Sequence, residues 1–204
     1  MWGIIPVARN GTRIQPLAFS KELLHVGSRR DGQREQPRVG SEYLVERMIR
    51  GGVGKICFVI SPGKGDVLRY YGDSFASARI AYVVQTQAAE LCDAVLMDEA
   101  CRVREIQVKR ADAASKWVWG AFKMPGAILH ELNRLWIARN RLDEYIGTLV
   151  NAWLAAGGQT LGVRAGESHV DVGTLPGFRR AVAMLSGSDD GEISEWSGER
   201  ADIR

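Results

Sequence analysis

The apolar and polar positions of this chain fall into two successive patterns. The first opens with Ile4-Ile5-Pro6-Val7-Ala8, a short apolar run that predicts a buried strand whose register Pro6 disturbs. It leads into the polar stretch Arg9-Asn10-Gly11-Thr12-Arg13. Residues 27–40 carry Arg29, Arg30, Arg34 and Arg38 among Gly, Gln and Pro. They resemble a basic phosphate-binding patch, but interleaved Asp31 and Glu35 favour a solvated loop. Ser41 is placed as the cap of a helix with Leu44, Val45, Met48 and Ile49 at helical spacing, ended by Gly51-Gly52. Residues 55–61 form a continuous apolar run, the pattern of a strand covered on both faces. A short helix over 66–71 and a strand over 79–85 complete a strand–helix–strand grammar, which predicts an α/β sheet with crossover helices.

Past Gln85 the pattern changes. Residues 94–97 and 103–109 predict two strands around the turn Asp98-Glu99-Ala100-Cys101, and the aromatic-rich 117–123 predicts another. Pro125-Gly126 opens a helix carrying Ile128, Leu129, Leu132, Leu135 and Trp136 on one face. Asp143 starts a further helix that Gly157-Gly158 stops. Strands over 160–164 and 169–172 and a helix over about 176–185 follow. From Ser186 the chain is rich in Ser, Gly, Asp and Glu and reads as a mobile tail. The expected organisation is one domain over 1–185 and a tail over 186–204.

Composition narrows the classes. With 204 residues, 46% hydrophobic and 25% charged, the chain is an ordinary folded domain and not a disordered one. A net charge of +3 gives no case for nucleic acid as a partner. No apolar run nears the ~20 residues of a membrane span, and the N-terminus lacks the positive and long apolar regions of a signal peptide. Cys57, Cys92 and Cys101 lack CxxC spacing, which fits a reducing cytoplasm. Trp117, Trp119, Trp136 and Trp153 suit either a core or the interface of a homo-oligomer, with core the default.

The candidate chemistry begins after the first strand. Gly11, Thr12 and Arg13 offer backbone N–H groups, a hydroxyl and a guanidinium to one anion, and phosphate uses all three. Lys21 adds a second positive charge. Taken alone, the triplet reads better as a plain turn. His25, His130 and His169 sit in unrelated contexts and suggest no nucleophilic triad.

The stretch Ile4-Ile5-Pro6-Val7-Ala8-Arg9-Asn10-Gly11-Thr12-Arg13-Ile14-Gln15-Pro16 through Lys21-Glu22-Leu23-Leu24-His25-Val26 closely resembles the opening signature of the sugar-1-phosphate nucleotidylyltransferases. In that family a Gly-x-Gly-Thr-Arg-Leu-x-Pro loop and a following Lys grip a nucleoside triphosphate. The resemblance continues through 41–65 and 79–85, then Glu105-Ile106-Gln107-Val108-Lys109, Trp117-Val118-Trp119-Gly120 and His169-Val170-Asp171-Val172-Gly173-Thr174. It implies a Rossmann-like three-layer α/β fold of the nucleotide-diphospho-sugar transferase type, with a mixed, mostly parallel sheet and helices on both faces. It also implies nucleotidyl transfer from dTTP or UTP to a sugar 1-phosphate, with release of pyrophosphate. By position, Gly11, Thr12, Arg13 and Lys21 would hold the triphosphate, with Arg13 and Lys21 as the catalytic cations. Gln85 would read the base, while Glu105, Lys109 and Gly120 would face the sugar phosphate. Asp171 would be one of two aspartates on Mg²⁺.

Three departures stand against that pattern. Arg9 replaces the first loop glycine, and His25 replaces a proline. After Gln85–Ala94 the chain passes almost at once to a later family segment. Several dozen residues, including a central strand and the first metal aspartate, are missing at a joint between two similar apolar-Asp-Ala motifs. Asp98 follows an apolar run, as the lost aspartate would, but reads better as a turn former; Asp93 has no clear role. The alternative to an enzyme is therefore an impaired nucleotide- or sugar-phosphate-binding protein of the same fold.

Overall fold

The computed structural model describes residues 1–9, 11–86, 93–165 and 169–186. They form two compact units: one runs to residue 86 and resumes at 169–186, and the other is 93–165. The junction residues 87–92 and the expected tail beyond residue 186 lie outside the described residues.

The first unit starts with β1 (Trp2–Pro6), shifted toward the N-terminus relative to the apolar run. A hairpin follows, β2 (His25–Asp31) and β3 (Arg34–Val39), then α1 (Gly40–Arg50), β4 (Lys55–Ile60), α2 (Gly65–Tyr71), β5 (Ser74–Phe75) and β6 (Ala78–Val84). The sheet order is β1-β4-β6-β5. Strands β1, β4 and β6 are parallel, and β5 is antiparallel to β6. Pro6 is tolerated because it closes a strand at the sheet's edge, where one missing donor breaks no second ladder. Register aligns Ile5, Phe58 and Tyr82. That face joins Val45 of α1 and Val67 and Tyr71 of α2 in one core, where Phe58 stacks on Tyr71 at 4.8 Å. Trp2, Ile4 and Val83 point from the opposite face and stay about half exposed.

Two expectations fail in the part of this unit that precedes residue 87. The Arg-rich stretch is a hairpin, not a loop: Gly32, at φ 60°, supplies its tight tip, and Arg30 faces Glu35 across it. Arg29 and Arg38 turn back onto Glu42, which is 1% exposed and accepts the Tyr70 hydroxyl at 2.5 Å. Ser41 does not cap α1, whose N-cap is Val39. Its hydroxyl instead donates to the Glu22 carbonyl at 2.8 Å and shares a hydrogen bond with Tyr71.

The second unit opens with the expected hairpin, β7 (Ala94–Met97) against β8 (Val103–Gln107). Asp98 is a turn former. Its carboxylate takes the backbone N–H and Nε of Arg102, each at 2.9 Å, and Nη2 of Arg104. The backbone bond first, then the two guanidinium groups, hold its pKa down to about 2. Helices α3 (Gly126–Ala138) and α4 (Ile146–Ala155) follow. Val150 of α4 packs with Val95 and Ile106, and the Asn151 amide bonds both the N–H and the C=O of Ile106, taking a strand's place beside β8. Asp143 does not start α4; it binds Arg139 at the end of α3.

The aromatic stretch 117–123 is not a strand. Val118 alone bridges Ala94, while Trp119 stacks on Phe122 at 5.3 Å. Residues 160–164 are likewise irregular and meet the hairpin through one bridge, Arg102 to Leu161. Residues 169–172 form no strand, but Val170 and Val172 pack into a second core of the first unit. There Ala181 of α5 (Leu175–Ser186) meets Leu24 and Val26.

Candidate functional site

Because β1, β4 and β6 are parallel, their carboxyl ends open on one side of the first sheet, the usual place for a ligand in such sheets. The chain leaves β1 there: Val7 N–H still donates to Val59 at 2.8 Å. Gly11 then takes a left-handed conformation, φ 60° and ψ 44°, and caps the 3-10 turn Thr12–Ile14. Glycine suits this left-handed position, and a Cβ on Gly11 would lie 2.7 Å from Cδ of Lys21. The same contact brings Lys21 against the loop that carries Thr12 and Arg13.

Lys21 is held from below. Ser20, which precedes it, donates its N–H and hydroxyl to Asp66 at 2.6 and 2.7 Å. Burial pushes the Asp66 carboxyl up, but the Ser20 bonds outweigh this and leave its pKa below the usual range. Next to it, Lys64 is 5% exposed and pairs with Glu22 at 2.7 Å. Burial drives the Lys64 ammonium below its ordinary pKa, and Glu22 offsets part of that. The sequence gives no sign of the Ser20–Asp66 or Glu22–Lys64 pairs, since each joins residues more than forty positions apart.

Asp171 joins this cluster. Its Oδ2 accepts Nη2 of Arg13 at 2.9 Å, and its Oδ1 accepts the Gly173 N–H at 2.8 Å. A Cβ on Gly173 would lie 2.8 Å from that Oδ1 and 3.6 Å from Nζ of Lys21. Arg13, Lys21, Asp171 and Gly173 are thus gathered at one place, with Arg13 and Asp171 about half exposed. Gln85 follows β6 at the same carboxyl end, with its N–H on the Ile60 carbonyl at 2.8 Å. Arg9 is exposed.

The second unit holds Glu105, Lys109 and Gly120. Glu105 lies on β8, paired with Arg110 at 3.5 Å. Lys109, just past β8, has φ 52°; its N–H donates to Asp93 at 3.2 Å and its ammonium lies 5.5 Å from the centre of the Tyr145 ring. Gly120 is exposed, with open space where a side chain would be. Asp93, left without a role in the sequence, is 4% exposed and ties this corner together, its carbonyl accepting the Trp119 N–H at 3.2 Å.

No protein-family profile matches the sequence, and no curated protein matches it. Solved structures do. A putative glucose-1-phosphate thymidylyltransferase from Bacillus anthracis, in complex with sucrose, matches at 18% identity and TM-score 0.69, over 94% of this chain and 98% of its own. A UTP-bound UDP-glucose pyrophosphorylase from Acinetobacter baumannii matches at 13% identity and TM-score 0.64, over 89% and 92%. A UDP-glucose pyrophosphorylase complexed with UDP-glucose matches at 15% and 0.65, over 89% and 97%. The fold is that of the sugar-1-phosphate nucleotidylyltransferases.

A nucleotidylyltransferase fold implies Mg²⁺, and the residues around Asp171 do not fit that ion. Both carboxylate oxygens are engaged by N–H donors. Among the described residues no three His, Cys, Asp or Glu side chains gather as a metal site. Asp98, the other carboxylate that follows an apolar run, is taken up by Arg102 and Arg104. Mg²⁺ needs near-octahedral oxygen donors at about 2.0–2.1 Å, usually one or two carboxylates with substrate phosphates and water.

Proposed function

We propose that this chain is a nucleotidyltransferase acting on a nucleoside triphosphate, UTP or dTTP, and a sugar 1-phosphate such as glucose 1-phosphate. The observation that carries the reading is the meeting of Gly11, Thr12, Arg13 and Lys21 at the carboxyl end of β1, in a fold shared with UDP-glucose pyrophosphorylase. A phosphate oxygen of the sugar phosphate attacks the α-phosphorus in line, the bond from the α-phosphorus to the bridging oxygen breaks, and pyrophosphate leaves with that oxygen. Such a step needs positioning and charge neutralisation rather than a covalent nucleophile. Arg13 and Lys21 neutralise the departing pyrophosphate. Gln85 takes the base, and Lys109, with Glu105 and Gly120 beside it on the sugar side, takes the sugar phosphate. The reading implies a cytoplasmic protein, where nucleoside triphosphates are supplied; among the described residues no helix is long and apolar enough to cross a membrane.

Pyrophosphate release from UTP or dTTP with glucose 1-phosphate, with and without divalent ions, tests the proposal. The expected result is release that Arg13→Ala lowers about 10²–10³-fold, the scale for one lost transition-state donor. A second reading, binding without turnover, is favoured by the engagement of Asp171 with Arg13 and by the lack, among the described residues, of three His, Cys, Asp or Glu side chains gathered as a metal site. Nucleotide binding without pyrophosphate release selects it.

A further inference from the structure

Asp171 is surrounded by donors rather than by other acceptors. Arg13 occupies Oδ2 and the Gly173 N–H occupies Oδ1, while Nζ of Lys21 would lie 3.6 Å from a Cβ placed on Gly173. A carboxylate paired with a guanidinium already has its counter-charge. A divalent cation arriving there would meet that guanidinium and a committed acceptor, which is the reverse of what Mg²⁺ selects. The pair is also open to water, with Arg13 and Asp171 side chains 54% and 44% exposed. Exposed ion pairs are held weakly and exchange partners cheaply. A phosphate offers Arg13 a pair of acceptor oxygens, as a carboxylate does, with more charge.

We infer that Asp171 is the counter-ion and positioning residue of Arg13 rather than a metal ligand, and that the loop takes a nucleotide polyphosphate without a metal ion, Arg13 passing from Asp171 to the phosphate. The inference rests on the reading of residues 11–21 as the polyphosphate loop. In the free chain Asp171 keeps the Arg13 side chain aimed across the mouth of the loop. In the bound chain it is a nearby negative charge that competes with the ligand.

The full-length chain tests this in two arms. In the first, Mn²⁺ is titrated into the parent and Asp171→Asn while free Mn²⁺ is followed by paramagnetic resonance. The two proteins are expected to titrate alike, and a Mn²⁺ site present in the parent and missing from the variant overturns the inference. In the second, UTP binding is measured calorimetrically with EDTA and with Mg²⁺. UTP is expected to bind with EDTA as well as with Mg²⁺. In EDTA, Asp171→Asn is expected to bind about five-fold tighter, the scale of one screened charge contact, and Arg13→Gln weaker. Opposite directions separate this from misfolding, which weakens both. UTP binding that requires Mg²⁺ and disappears in Asp171→Asn overturns the inference. A chain that binds UTP in neither buffer overturns the polyphosphate reading and the exchange with it, while the Mn²⁺ arm still decides what Asp171 does.

Discussion

Lys109 sits at φ 52°, in the left-handed region where a side chain costs roughly 1 kcal/mol over glycine. The Asp93 carboxylate on its N–H holds the backbone there, and the Tyr145 ring lies under its ammonium. Glycine takes this conformation without that cost. Lys109→Gly is therefore expected to leave stability to urea unchanged or up to about 1 kcal/mol higher, while glucose 1-phosphate binding, followed by calorimetry, weakens at least tenfold. Lower stability with unchanged binding would make Lys109 a plain turn residue. The sequence singled out Lys109 but placed it inside a strand, and it gave Asp93 no role. Asp93 follows a stretch of helical composition, and only the fold carries its carboxylate to residue 109 and its carbonyl to residue 119.

Helix α4 lies on β8 at a point where one of its residues has no side chain. A Cβ on Gly147 would come within 2.6 Å of Val108 Cγ2 and 2.8 Å of Ile106 Cγ2, both parts of branched side chains packed in the same core. Gly147→Ala gains up to about 1 kcal/mol of helix propensity, but forcing a methyl into this contact costs about 1–3 kcal/mol. Overpacking wins, so the urea midpoint is expected to fall. Gly126→Ala at the open first residue of α3 is the control and should leave it unchanged or raise it. The elements legible in sequence were the helices α1, α2, α3, α4 and α5, and the runs that became β4, β6, β7 and β8. The β2–β3 hairpin was missed because its strands bury little beyond Val26 and Val39 and set polar residues opposite one another, as Arg30 with Glu35. The 117–123 stretch misled in the other direction. Its aromatic residues suggested a ladder, yet Trp119 and Phe122 satisfy each other by stacking.

Across the whole chain, the turn after β1 could be read from its residues because it is local, a left-handed glycine followed by a short 3-10 turn. The Arg13–Asp171 pair could not, since it joins residues 158 positions apart and sequence offers no distance between them. The aromatic residues are also divided unevenly between the two units, and this gives a test of each unit separately. Tyr70, Tyr71 and Tyr82 are in the first unit, with Tyr71 in contact with Phe58 and Phe75; Trp117, Trp119, Trp136 and Trp153 are in the second. Burial, then the Glu42 carboxylate, pushes the Tyr70 phenol up to about 12. Burial also raises Tyr71 and Tyr82. A phenol with a raised folded pKa contributes stability that is complete below its ordinary value of about 10 and is lost as pH climbs through the folded value. Lys64 acts with the opposite sign: its lowered pKa is a cost that fades as pH rises toward its ordinary value of 10.5. Above that value only the phenols remain. Above about pH 10.5 and up to about pH 12, the first unit is therefore expected to lose stability to urea, followed by tyrosine absorbance. Tryptophan fluorescence, which reports mainly on the second unit, should shift less. Tyr70→Phe removes one raised phenol and should shrink the loss; an equal loss in parent and variant would mean that the Tyr70 phenol does not drive it.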